Sequence, residues 1–194
     1  MVIIILNTFT CITESKSQKP LYPSKIIGIR MDFIFDEYEM RKLQPRERLG
    51  KLTQILKNER DESIRWDSVW LAGEITSVID IDDPMFAEIA DLMVWVLLHD
   101  DNAIVRHEAA FQIGVRNMRA KIPDMINSAR NDKSVLVRHE VIESLGMMRA
   151  HESKEALRSM IEDPSDVVRV TAVFVLKRLE RLTDRGEYKV EEIV

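Results

Sequence analysis

Ile104–Gly114 reads IVRHEAAFQIG and Leu136–Gly146 reads LVRHEVIESLG. The two stretches share a β-branched residue, an arginine, a His-Glu pair and a closing Leu/Ile-Gly, with apolar residues at spacings of three and four between them. That spacing predicts a helix. Two more divergent copies flank them: IRWDSVWLAG from Ile64 and VRVTAVFVLK from Val168. Counted from Ile64, Val105, Val137 and Val168, the intervals are 41, 32 and 31 residues, the first carrying an insertion around SVIDIDDP. Self-similarity at a fixed period of 20 to 50 residues signals a solenoid, in which each unit buries its apolar face only against its neighbours.

A second register runs through the same units. An acidic residue stands six positions before each arginine: Glu59 before Arg65, Asp100 before Arg106, Asp132 before Arg138, Asp163 before Arg169. Such pairs predict a ladder of charge-assisted hydrogen bonds tying inter-helix turns to neighbouring helices, a structural role. Between the units lie helical segments, MFAEIADLMVWVLL, IPDMINSARN and SKEALRSMIED, while strand signals are nearly absent. Pro84, Pro123 and Pro164 fall where helices begin or turns occur. Gly73, Gly114 and Gly146 are expected to close the first three motif helices. With one further helix around EYEMRKLQPRERLGKLTQILKN, the chain reads as an all-α, right-handed solenoid of about four helical hairpins over residues 36–182. Residues 1–35 read as a loosely packed arm, with Met31 as a candidate start codon, and residues 183–194 as a charged tail.

Composition narrows the function classes. With 45% hydrophobic residues the 194-residue chain can bury an ordinary core, and a net charge of -5 leaves no positive excess to hold a phosphate backbone. Nucleic acid is therefore not expected as a partner. The apolar start MVIIILNTFTCI is too short to span a bilayer and lacks the flanks of a secretory signal, so no membrane association is expected. A single cysteine, Cys11, precludes a disulfide framework within the chain and suits a cytoplasmic location. No glycine-rich phosphate loop and no serine nucleophile elbow occurs.

The His-Glu pairs carry the chemistry. On a helical wheel with Val105 at zero, Ala109, Ala110 and Ile113 form a core stripe near about 65°. His107 then falls near about 200° and Glu108 near about 300°, neither on the core face. His139 and Glu140 fall identically on the next motif helix. Neighbouring helices lie roughly 8–10 Å apart, so the two imidazoles and two carboxylates can share one open surface. This mixed nitrogen and oxygen set suits iron, zinc or manganese. Trp66, Trp70, Phe111, Val170 and Phe174 fall on the same face, and an aromatic patch of that kind is expected to be covered. His99 and His151, near helix ends, read as surface residues. A plainer account makes VRHE a duplicated element whose His and Glu are solvated.

The acid, the VR pair and the closing LG resemble HEAT-like repeats of the phycobilisome-lyase type over most of residues 59–182. The paired dyads one repeat apart further resemble one half of the deoxyhypusine hydroxylase family, HEAT-repeat di-iron enzymes made of two similar halves. That resemblance implies that His107, His139 and Glu140 bind one iron and that Glu108 reaches the iron of the opposite half. It also implies a monooxygenase hydroxylating an aliphatic carbon, with a translation factor as protein substrate. This chain has one half only. Two iron ions then require a homodimer closed over the dyad face, covering Trp66, Trp70, Phe111 and Phe174. The alternative is a non-enzymatic HEAT scaffold binding another protein through that aromatic concave face. A chromophore-lyase-like subunit or chaperone is a third reading, on fold analogy alone.

Overall fold

The computed structural model describes residues 35–183, so the N-terminal arm, Cys11, Met31 and the charged tail beyond Thr183 lie outside the described residues. Nine α-helices occur among the described residues: α1 (Glu37–Lys42), α2 (Pro45–Asn58), α3 (Glu62–Glu74), α4 (Pro84–His99), α5 (Ala103–Val115), α6 (Ile122–Asn131), α7 (Val135–Met147), α8 (Lys154–Ser159) and α9 (Asp166–Arg181). Helices α2 to α9 form four antiparallel hairpins, α2–α3, α4–α5, α6–α7 and α8–α9, stacked as an all-α solenoid, with α1 packed on α3. The motif helices α3, α5, α7 and α9 make one layer and pack closely on one another, whereas α2, α4 and α6 touch their counterparts sparsely. Close spacing on one side and wide spacing on the other makes the motif-helix layer the concave one. Between the layers Leu52, Val69, Met93, Leu97, Ile113, Met125, Leu145 and Leu157 are fully buried.

The segment expected as one helix around Glu37–Asn58 is two. Leu43 and Gln44 adopt extended backbone (ψ 149° and 145°), Gln44 because Pro45 follows and a proline ring clashes with an α conformation in the residue before it. Pro45 then starts α2, where its missing N–H costs nothing.

The ladder of acids and arginines is present, but shifted by one repeat from the expected pairing. The Arg65 guanidinium grips Asp100 rather than Glu59, by Nε–Oδ2 at 2.7 Å and Nη2–Oδ1 at 3.0 Å. Arg106 takes Asp132 at 2.8 and 2.9 Å, and Arg138 takes Asp163 at 2.8 and 2.9 Å. Each arginine donates its remaining nitrogen to the backbone carbonyl of the acid in its own turn: Arg65 to Glu59, Arg106 to Asp100, Arg138 to Asp132, Arg169 to Asp163. The acids act twice. Asp100, Asp132 and Asp163 also accept the N–H two residues ahead (Asn102, Ser134, Ser165), shaping the turn that leads into the next motif helix. Arg65 and Arg106 are buried, so each fork is shielded from solvent.

The glycines do other work than the helix closure expected of them. Gly73, Gly114 and Gly146 lie inside the last turn of their helices. A Cβ on Gly114 would stand 2.6 Å from Ser144 Cβ and 3.0 Å from its Cα; one on Gly146 would stand 2.9 Å from Val175 Cγ1. Only a bare backbone lets consecutive motif helices approach so closely. The left-handed closing residues are Asn117 and Arg149, both at φ 52°. In each case the next residue bonds back to the helix, Met118 N–H to Ile113 and Ala150 N–H to Leu145, both at 3.0 Å, the pattern of a Schellman cap.

Candidate metal centre

The dyads sit in the first half of α5 and α7, in the middle of the concave layer. The wheel places His and Glu both off the core, but the structure divides them: Glu108 and Glu140 are buried (5% and 6% exposed), while the imidazoles of His107 and His139 are half-buried. The reason is the stack itself. A motif helix has a motif helix on each side, so the glutamate flank faces the preceding repeat and the histidine flank the following one.

That arrangement produces a second ladder, also reaching forward by one repeat. Trp66 lies against Glu108 and favours its charged form. His107 Nε2 lies 3.1 Å from Glu140 Oε2. His139 Nδ1 lies 2.8 Å from Thr171 Oγ1. Each residue at the histidine position thus meets the residue at the glutamate position of the next unit. Behind the carboxylates, one turn on, stand their supports: Gln112 Nε2 donates to Glu108 Oε1 at 2.9 Å, and Ser144 Oγ lies 3.1 Å from both Glu140 Oε1 and the Ala110 carbonyl. Gln112, Ser144 and Thr171 were missed by the sequence reading. The signal for the first two was a polar residue four positions after each glutamate; for Thr171 it was its place in the repeat register.

Electrostatics favour positive charge here. Burial alone would lower the pKa of His107, but the Glu140 carboxylate facing its Nε2, with the charges of Glu108 and Glu143, holds it above its ordinary value. Burial pushes the Glu108 carboxyl up, against the stabilising bond from Gln112. The donor types, imidazole nitrogen and carboxylate oxygen with hydrogen-bonded supports, fit a borderline metal ion. Their number within one chain does not complete a shell: among the described residues no three His, Cys, Asp or Glu side chains converge on one point. His107 and Glu140 are brought together; His139 turns toward Thr171, with Glu143 Oε2 3.7 Å from its Nε2, and Glu108 turns toward Trp66 and Gln112.

The aromatic residues assemble in part. Trp66 stacks on Trp70 (centroids 6.3 Å apart) and Trp70 on Phe111 (6.4 Å), a continuous row across α3 and α5. Trp66 and Phe111 are half-buried in it, and Trp70 is exposed with its indole N–H on Glu74 at 3.1 Å. Phe174 stands apart on α9 and is 64% exposed, beside Val170 at 69%. Ile104, Leu136 and Val167, three residues before His107, His139 and Val170, are exposed as well, which widens the apolar rim beyond the expected aromatics. The expectation for His99 holds, for it is exposed at the end of α4. His151 is half-buried instead, with neither ring nitrogen hydrogen-bonded. A groove of about 490 Å³ between α2 and α4, lined by Leu49, Gly50, Lys57 and Trp95 among others, contains no dyad residue. No described helix is long and apolar enough to cross a membrane.

Comparison with known proteins agrees with this architecture. Residues 90–177 match the family model of HEAT repeats. Deoxyhypusine hydroxylase of Gallus gallus is 36% identical over 89 residues, covering 45% of this chain and 30% of that protein. The enzyme of Coccidioides immitis is 34% identical over 98 residues, covering 49% and 29%. The structure of human deoxyhypusine hydroxylase in complex with glycerol superposes with a TM-score of 0.62 at 22% identity, covering 75% of this chain and 48% of that one, a likeness of fold. The chain spans less than a third of the length of these curated relatives and about half of the human chain. Residues 90–177 are thus similar to HEAT repeats, and the chain is similar in sequence to part of deoxyhypusine hydroxylase and in fold to the human enzyme.

Proposed function

We propose that this chain supplies one half of a di-iron hydroxylase of the deoxyhypusine hydroxylase type, two copies closing face to face so that four His-Glu dyads surround two metal ions. The observation that carries the reading is the approach of His107 Nε2 to Glu140 Oε2, 3.1 Å across two helices, on a face whose second carboxylate, Glu108, is also buried. His107, His139, Glu108 and Glu140 would hold the metal, and when bound it would supply the oxygen chemistry that hydroxylates an aliphatic carbon. The chain's own residues do the preparatory work. Gln112 and Ser144 fix one oxygen of each buried carboxylate, and the stacked Trp66, Trp70 and Phe111 form an apolar wall that a second subunit would dry out on docking. The incomplete ligand shell of one chain and the exposed Trp70, Phe174 and Val170 both call for that second subunit. A protein substrate such as a translation factor, and a cytoplasmic setting, belong to the same reading.

Elemental analysis of chain expressed with supplemental iron tests it. About one iron per chain is expected, together with a solution mass of two chains and loss of the metal in His107→Ala. A metal-free monomer would overturn the reading. A second reading, a HEAT scaffold that docks a different protein on the concave face, is favoured by one observation: every dyad side chain already has a hydrogen-bond or ion-pair partner within the chain. On that reading Trp70→Ala abolishes partner binding and His107→Ala leaves it intact.

A further inference from the structure

Thr171 occupies the glutamate position of the last repeat, where the two central repeats have Glu108 and Glu140. It is buried in α9, and its hydroxyl makes two contacts: Oγ1 lies 2.7 Å from the Val167 carbonyl and 2.8 Å from His139 Nδ1. A hydroxyl has one proton. A carbonyl oxygen can only accept, so the bond to Val167 uses that proton, and the Thr171 oxygen must accept from His139. His139 Nδ1 therefore carries a hydrogen, and in the neutral ring Nε2 is left as the bare lone pair. The other neighbour does not reverse this assignment, since Glu143 Oε2 stands 3.7 Å from Nε2, beyond hydrogen-bond reach.

We infer that Thr171 is a positioning residue that fixes the tautomer and ring orientation of His139, so that Nε2 is presented to a divalent cation on the concave face. The inference rests on the metal reading above for the identity of what Nε2 meets; the tautomer itself rests on hydrogen bonding alone. It explains why the outer repeat departs from His-Glu without losing a polar residue at that place. A carboxylate in this position would add a charge beside His139, as Glu140 does beside His107, whereas a back-bonded hydroxyl adds none and aims the ring. The two histidines are thus prepared differently: His107 is engaged through Nε2 and His139 through Nδ1.

The test uses the full chain and two near-isosteric variants, Thr171→Val, which removes the hydroxyl, and Thr171→Ser, which keeps it. Long-range nitrogen–proton correlation spectra of the metal-free protein, recorded where the histidines are neutral, are expected to show His139 as a single Nδ1–H tautomer in the wild type and in Thr171→Ser. A tautomer mixture is expected in Thr171→Val. Titration with cobalt(II) is expected to give an affinity about 10-fold or more weaker for Thr171→Val and near wild type for Thr171→Ser. An Nε2–H tautomer in the wild type, or an unchanged tautomer in Thr171→Val, overturns the inference. Wild-type chain that shows the Nδ1–H tautomer and its loss in Thr171→Val, yet takes up no cobalt, upholds the role of Thr171 and overturns the proposed metal function instead.

Discussion

Arg106 and His107 are consecutive residues on α5, and each belongs to a ladder that reaches forward one repeat. The two ladders differ in how well they repeat. The arginine ladder keeps one chemistry at every joint: Arg65, Arg106 and Arg138 each take a carboxylate through Nε and Nη2 and a carbonyl through Nη1. The dyad ladder changes at every step, from an indole beside a carboxylate to an imidazole on a carboxylate to an imidazole on a hydroxyl. Stacking is required of every unit, so its fastenings are uniform. Whatever the concave face does is required only in the middle, and its chemistry is confined there.

Breaking the uniform ladder should have the largest effect. Arg106→Ala strands the buried Asp132 carboxylate and two turn carbonyls, and chemical denaturation should show a loss of about 3–5 kcal/mol. The glycine contacts come next: in Gly114→Ala the new methyl meets Ser144 down to its backbone, for an expected cost of about 1–3 kcal/mol despite alanine's better helix propensity. If Gly114→Ala is neutral, the close approach of α5 and α7 is not what the glycine serves. A pH series sharpens the comparison further. The hydrogen bond from Arg138 holds the Asp163 carboxyl below its ordinary value of 3.8. A lowered folded-state value means stability that is present above about pH 4 and lost as pH falls through the folded-state value. The wild type should weaken across that acid window, and Asp163→Asn should flatten the slope there. The smallest effect on stability belongs to the concave face. Trp70→Ala, at an exposed site, should change unfolding free energy by about 0.5 kcal/mol or less while altering whatever docks there.

The fold was legible because its determinants are local. A β-branched residue, an arginine and a glycine at a fixed period specify a motif helix, and the four hairpins stand where that period places them. Proline chemistry located the break at Pro45 only in retrospect, since EYEMRKLQ and PRERLGKL are each helical and the period alone runs through both. Pairing was less legible than placement. Reading Asp100 with Arg106 was reasonable from sequence proximity, and they do touch, but through the Asp100 backbone; the carboxylate belongs to Arg65, 35 residues earlier. The same one-repeat offset hid the surroundings of the dyads. A wheel treats a helix as having one buried side, whereas α5 and α7 have three, and this buries Glu108 and Glu140. The offset also assigns Thr171, whose helix read alone gives no sign of a role, to His139.

The forward reach gives the stack a grammar in which a side chain's meaning is set by the word that follows it. Excision of residues 116–147 would leave a shorter sentence that still parses, Arg106 finding Asp163 as it now finds Asp132. His107 would then be followed by Thr171 and acquire the character His139 has today, without a single change to its own helix. Function on such a scaffold can be edited by reordering units as readily as by altering residues.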